Sequence, residues 1–161
     1  MSHHENGAEH VHDLVKDQRT AMLTTVHDAS GTLASRPMAC QRADPDGTLW
    51  FLAFADSEKT EEIRRSPQVN VAFTEEGTWV SVTGRASVLQ DPARARERWN
   101  PFAEAWFQGE PEDERVVVIR VDGDSAEYWD SRGRVGTLVG VLKAKVTGDQ
   151  PDEGENETVA L

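Results

Sequence analysis

The chain has 161 residues, enough for one domain with a core that needs no staples. Its 29 acidic against 17 basic residues give a formal charge of -12, which repels phosphate backbones and anionic bilayers, so neither nucleic acid nor a membrane is expected as a partner. Cys40 is the only cysteine, so no disulfide can form within the chain; no apolar run suits a signal peptide or a membrane span, and a cytoplasmic protein is expected.

Met1 to His10 is polar and reads as a flexible stretch, and its histidines lack the framework of a metal site. Val11, Leu14 and Val15 then share one face of a short helix running to Gln18. Ala21–Val26, Leu33–Gln41 and Leu49–Phe54 are β-favouring runs separated by Asp28-Ala29-Ser30-Gly31 and Asp44-Pro45-Asp46-Gly47, the spelling of an antiparallel meander. A helix capped by Asp56 or Ser57 must end near Ser66, because Pro67 follows. Val69, Val71 and Phe73 alternate as a strand. Thr78–Leu89 is a longer one, with Trp79, Ser81, Thr83 and Arg85 on one face and a bend expected at Gly84.

Asp91-Pro92 opens a helix that carries Trp99, Phe102, Trp106 and Phe107 toward its end. Val116–Val121 and Ser125–Asp130 read as two strands around the turn Asp122-Gly123-Asp124, and the acidic chain after Val146 reads as disordered. The pattern predicts a mainly β domain over 11–133, a barrel of six to seven antiparallel strands with peripheral helices, followed by an extension over 134–161. Neither a Gly-rich dinucleotide loop nor a P-loop is present.

Two segments carry chemistry. In Ser35-Arg36-Pro37-Met38 the proline marks an edge or bulge, and Arg36 shares a face with Met38 and Cys40, so its guanidinium needs an anion or a carboxylate. In Asp56-Ser57-Glu58-Lys59-Thr60 a strand runs into a helix whose first N–H groups, hydroxyls and lysine suit an anion. Each has a plainer alternative: a surface ion pair for Arg36, and for the second a Ser57 cap with Lys59 paired to Glu61 or Glu62. Together, Arg36, Ser57, Lys59 and Thr60 can converge on one dianionic phosphate, with Trp50-Phe51-Leu52-Ala53 as an apolar floor for a flat ring.

From Val11 to Asp130 the chain resembles the general stress protein 26 branch of the pyridoxamine 5'-phosphate oxidase-like, FMN-binding split barrels. The resemblance is carried by Ser35-Arg36-Pro37-Met38, Gly47-Thr48-Leu49-Trp50-Phe51, Ser57-Glu58-Lys59-Thr60, Val69-Asn70-Val71-Ala72-Phe73, Val82-Thr83-Gly84-Arg85-Ala86, Trp99-Asn100-Pro101 with Trp106-Phe107, and Glu127-Tyr128-Trp129-Asp130. It implies FMN at a homodimer interface, with Arg36, Ser57, Lys59 and Thr60 toward the phosphate and Pro37, Met38, Leu52 and Ala53 along the ring and ribityl chain. The same barrel with F420 or haem is the alternative.

The resemblance places Trp106 near the partner's flavin, Trp79 and Trp129 in the core or the dimer interface, and Asn70 and Thr83 pointing inward. Gly84 either lets the ring approach or serves the bend. Ala53 departs from a threonine common in relatives, and the C-terminal arginine-histidine arrangement of true pyridoxamine phosphate oxidases is absent. An oxidoreductase using reduced nicotinamide is expected, with a non-catalytic flavin-binding stress protein as the alternative; no catalytic residue and no metal ligand is singled out.

Overall fold

The computed structural model describes residues 3–75, 77–130 and 155–161. In chain order it contains α1 (His3–Val15), β1 (Thr20–Val26), β2 (Leu33–Ala43), β3 (Thr48–Phe54), α2 (Glu58–Arg65), β4 (Gln68–Glu75), β5 (Thr78–Leu89), α3 (Pro92–Glu97), α4 (Pro101–Phe107), β6 (Val116–Asp130) and β7 (Glu155–Ala160). The strands pair antiparallel in the order β3-β2-β1-β4-β5-β6-β7, and β3 also pairs with β6. That extra pairing closes six strands into a barrel.

The closure depends on the length of β6. Its first half pairs with β3 from Val116↔Phe54 to Asp122↔Thr48, its second half pairs with β7 from Ser125↔Ala160 to Asp130↔Glu155, and β5 runs along its other side. Asp122-Gly123-Asp124 is therefore not a turn between two strands: β6 runs straight through, and the irregularity is a register shift opposite Thr83 and Gly84. A Cβ on Gly84 would collide with the Asp122 carbonyl oxygen and stand 3.0 Å from the Gly123 Cα. The glycine is thus explained by the approach of β6.

The barrel interior is filled by alternating residues of every strand, among them Leu23, Phe51, Val71, Phe73, Val82, Ile119 and Val121, and α1 contributes Val11, Leu14 and Val15 to the same cluster. A second cluster lies outside the barrel, where Ala95 of α3 and Ala103 and Phe107 of α4 cover Trp50, Leu52, Val116 and Val118. β3 and the start of β6 are consequently buried on both faces, which is why Leu49–Phe54 and Val116–Ile119 are continuous apolar runs.

Three further expectations are corrected. The helix opened by Asp91 is two helices, because Pro101 cannot continue the first; Asn100 caps the second by accepting the Ala103 N–H at 2.9 Å. The N-terminal stretch is helical from His3, with the His10 ring edge-on to Tyr128 at 4.8 Å. The end of the acidic tail is strand β7, anchored by Val159 in the core, because β6 offers an open row of backbone groups there. The rest of the segment read as disordered, residues 147–154, lies outside the described residues. Among the described residues, no helix is long and apolar enough to cross a membrane.

Candidate functional site

A cleft of about 350 Å³ opens between β2, β3, α2 and α4. Arg36, Pro37 and Met38 of β2, Leu52 and Ala53 of β3, Lys59 of α2 and Phe102 and Trp106 of α4 line it, and Lys59 lies close enough to Arg36 to feel its charge. α4 lines the cleft because the helix has two working faces: Ala103 and Phe107 pack inward, with Phe107 against Phe54 at 4.7 Å, while Phe102 and Trp106 stack on each other outside. Trp106 is 65% exposed and Phe102 60%, so the cleft has an exposed aromatic rim.

The two cations come from different elements, Lys59 from α2 and Arg36 from β2. Lys59 is half-buried and, among the described residues, has no anionic partner; burial lowers its ammonium pKa, and the nearby Arg36 lowers it further. The alternative pairing of Lys59 is not found, because Glu61 takes Arg64 at 2.8 Å and Glu62 takes Arg36 at 2.8 Å. Arg36 also donates to the Thr25 hydroxyl at 2.5 Å, and that hydroxyl donates to Glu62 at 2.5 Å. The other Glu62 oxygen meets His27 Nδ1 at 2.7 Å. Burial would raise the Glu62 carboxyl, but hydrogen bonds from Thr25 and His27 and the Arg36 charge together hold it below the usual carboxylate range.

Arg36, Pro37, Met38, Leu52, Ala53 and Lys59 meet in one cleft, and Trp106, expected beside the partner's flavin, lines this same cleft of its own chain. Ser57, Thr60 and Gly84 are not on its wall. Thr60 is fully buried and its hydroxyl donates to the Phe54 carbonyl at 2.9 Å, a carbonyl that also takes the Ser57 hydroxyl at 2.8 Å. These hydroxyls tie the end of β3 to the first turn of α2, and so fix where the helix begins beside Lys59. Asn70 and Thr83 are corrected: both face outward, and the Asn70 amide donates to Ser81 at 2.8 Å and to Thr83 at 3.3 Å. Cys40 is buried, and burial pushes its thiol up to about 11, so it is no nucleophile at neutral pH.

The sequence does not single out Glu62, Thr25, His27 or Phe102 as site residues. Only for Phe102 was a signal present, its four-residue spacing from Trp106.

Comparison with known proteins agrees with this architecture. The sequence pattern of the family described as pyridoxamine 5'-phosphate oxidase like matches residues 6–152. The chain belongs to this family. Within the pyridoxamine 5'-phosphate oxidase-like proteins, it is 35% identical over 140 residues to Protein bli-3 of Neurospora crassa, covering 80% of this chain and 67% of that protein. The fold matches a candidate general stress protein 26 of Jannaschia sp. CCS1 with a TM-score of 0.77 and 25% identity, over 97% of this chain and 99% of that one. It also matches the general stress FMN/FAD binding protein of Xanthomonas citri, with a TM-score of 0.66 and 26% identity over 82% and 91% of the two chains.

Proposed function

We propose that the cleft binds FMN, with the flavin phosphate on Arg36, Lys59 and the first turn of α2, and the ring between the β2–β3 floor and the aromatic wall of α4. The observation that carries this reading is the juxtaposition of Arg36 with a half-buried Lys59, which among the described residues has no anionic partner, in a mostly apolar cleft. An apolar slot suits a flat ring, and two neighbouring cations suit a phosphomonoester. The fold of the Xanthomonas citri FMN/FAD binding protein supports the same assignment. Among the described residues no histidine lines the cleft, which favours flavin over a histidine-ligated haem.

The exposed rim of Phe102 and Trp106 fits a homodimer in which a second copy completes the site. Bound flavin would supply the redox chemistry, and the chain's own residues bind it, orient it and exclude water. We read the protein as a flavin-dependent oxidoreductase supplied by reduced nicotinamide. Purified protein that carries a flavin spectrum, bleached anaerobically by NADH or NADPH, is the expected result; colour without bleaching would indicate a flavin carrier.

The binding site has its own test. Lys59→Ala is expected to weaken FMN by about 2 kcal/mol, roughly 30-fold, and to leave riboflavin affinity unchanged, because only the phosphate loses a charged partner. Fluorescence titration with both flavins checks this. Equal affinity of wild type and variant for FMN would remove Lys59 from the site.

A further inference from the structure

The arginine at the phosphate end is not a free charge. One oxygen of the fully buried Glu62 takes both Arg36, at 2.8 Å, and the Thr25 hydroxyl, at 2.5 Å, while the other oxygen meets His27 Nδ1 at 2.7 Å. Thr25 lies near the end of β1 and His27 just beyond it, Arg36 lies on β2 and Glu62 on α2, so three elements meet at one carboxylate. That carboxylate fixes the guanidinium beside Lys59 and also compensates part of its charge.

We propose that Glu62 is the positioning residue for Arg36, and that protonation of His27 on the same carboxylate strengthens the site's hold on a phosphomonoester. The inference rests on the reading that a flavin phosphate occupies this end of the cleft.

The charges set the direction. With His27 neutral, Arg36 and Lys59 against Glu62 leave one net positive charge at the phosphate end; a proton on His27 makes it two. The groups facing His27 favour that proton. The hydrogen bond to Glu62 raises its pKa above the ordinary value, partial burial opposes this, and Glu58 on α2 and Asp28 in the β1–β2 turn raise it further. Glu58 stands 3.6 Å from Nδ1 and is largely exposed. Arg65, also on α2, donates to the His27 backbone carbonyl at 3.3 Å. Because the imidazole is 42% exposed, it can exchange its proton with solvent. Linkage then requires the converse: a bound phosphate raises the His27 pKa by the same coupling.

His27, Glu58 and Glu62 are residue types that also hold divalent cations, and their ligand atoms lie within 4.8 Å of one another. Both Glu62 oxygens, however, are already engaged by protein groups, and Arg36 stands beside them, an arrangement that suits a proton better than a second cation.

The test uses the full-length protein and flavin fluorescence at pH 6 and pH 8, with FMN and with riboflavin, for wild type and His27→Gln. Titration of the free FMN phosphate affects both proteins alike, so the ratio of their affinities isolates His27. We expect the wild type's FMN advantage over His27→Gln to be about fivefold larger at pH 6 than at pH 8, and the riboflavin ratio to be flat. Glu62→Asp, which keeps the charge but withdraws the carboxylate, should weaken FMN and not riboflavin at both pH values.

Parallel FMN curves for wild type and His27→Gln would overturn the proton coupling while leaving the flavin site intact. Unchanged FMN affinity in Glu62→Asp would overturn the positioning role. Failure of the wild type to bind FMN at either pH would overturn the flavin reading, and this inference with it.

Discussion

Glu62 is the residue on which most of the local electrostatics turns. It is fully buried, and its partners are a guanidinium that is 22% exposed, a buried hydroxyl and a half-exposed imidazole. Removing the charge leaves the largely buried Arg36 beside Lys59 without its counter-ion, so Glu62→Gln is expected to destabilise the fold by about 3 kcal/mol. The pH dependence has two limbs. The Glu62 carboxyl is depressed in the folded state, so its contribution is present above its ordinary pKa of 4.5 and is lost as pH falls through the depressed value. His27 is raised in the folded state, so its contribution is full below its ordinary 6.5 and is lost as pH rises through the raised value. The stability gap between wild type and Glu62→Gln should therefore be widest at about pH 5–6 and narrow on both sides, as urea unfolding across pH 4–8 would show. A gap independent of pH would separate the carboxylate's packing from its charge.

Among the elements, β6 decides the architecture. It is long enough to pair with β3 and β7 in succession on one side while β5 follows the other, and that double engagement both closes the barrel and docks the chain's end. The crossing of β5 and β6 at Gly84 leaves no room for a side chain. Gly84→Ala is expected to cost about 3 kcal/mol through forced displacement of the β6 backbone. Because the cleft lies elsewhere, the folded fraction should bind flavin with wild-type affinity; thermal unfolding and flavin titration together check this. Loss of flavin affinity in a fully folded variant would instead place Gly84 at the ring.

At the scale of the whole molecule, the outer face of β1, β2, β4 and β5 carries Met22, 42% exposed, beside its register partners Pro37 and Ala72, with Ser81 opposite Ala72 and Trp79, 46% exposed, farther along β5. We propose that this face, where Met22, Pro37 and Trp79 are exposed among polar neighbours, is the surface a second copy would cover. Trp79→Glu is expected to convert a dimer to monomer in sedimentation, because a carboxylate would be desolvated in each of two symmetric positions. FMN affinity should fall with it if the rim is completed by the partner. A protein that is monomeric before the substitution would refute this assembly.

The sequence was sufficient for most strands, because alternation along β1, β2, β4 and β5 reports the two faces of a sheet directly, and turn residues separate the first three. It also singled out Arg36 and Lys59, since a cation within a β run and another at a helix start are conspicuous in one dimension. Where a residue's role depends on what crosses it, the sequence was silent. Gly84 answers to Asp122, thirty-eight positions away, and Arg36 to Glu62 across three elements; no local pattern encodes such pairings. The apparent turn at Asp122-Gly123-Asp124 is strand because both neighbours pair through it, and the acidic tail ends in β7 because β6 has a free edge to fill. Local propensity thus determined the elements and the charged candidates. Tertiary pairing decided which strand closes the barrel, which carboxylate holds Arg36, and, among the described residues, that Lys59 has no anionic partner.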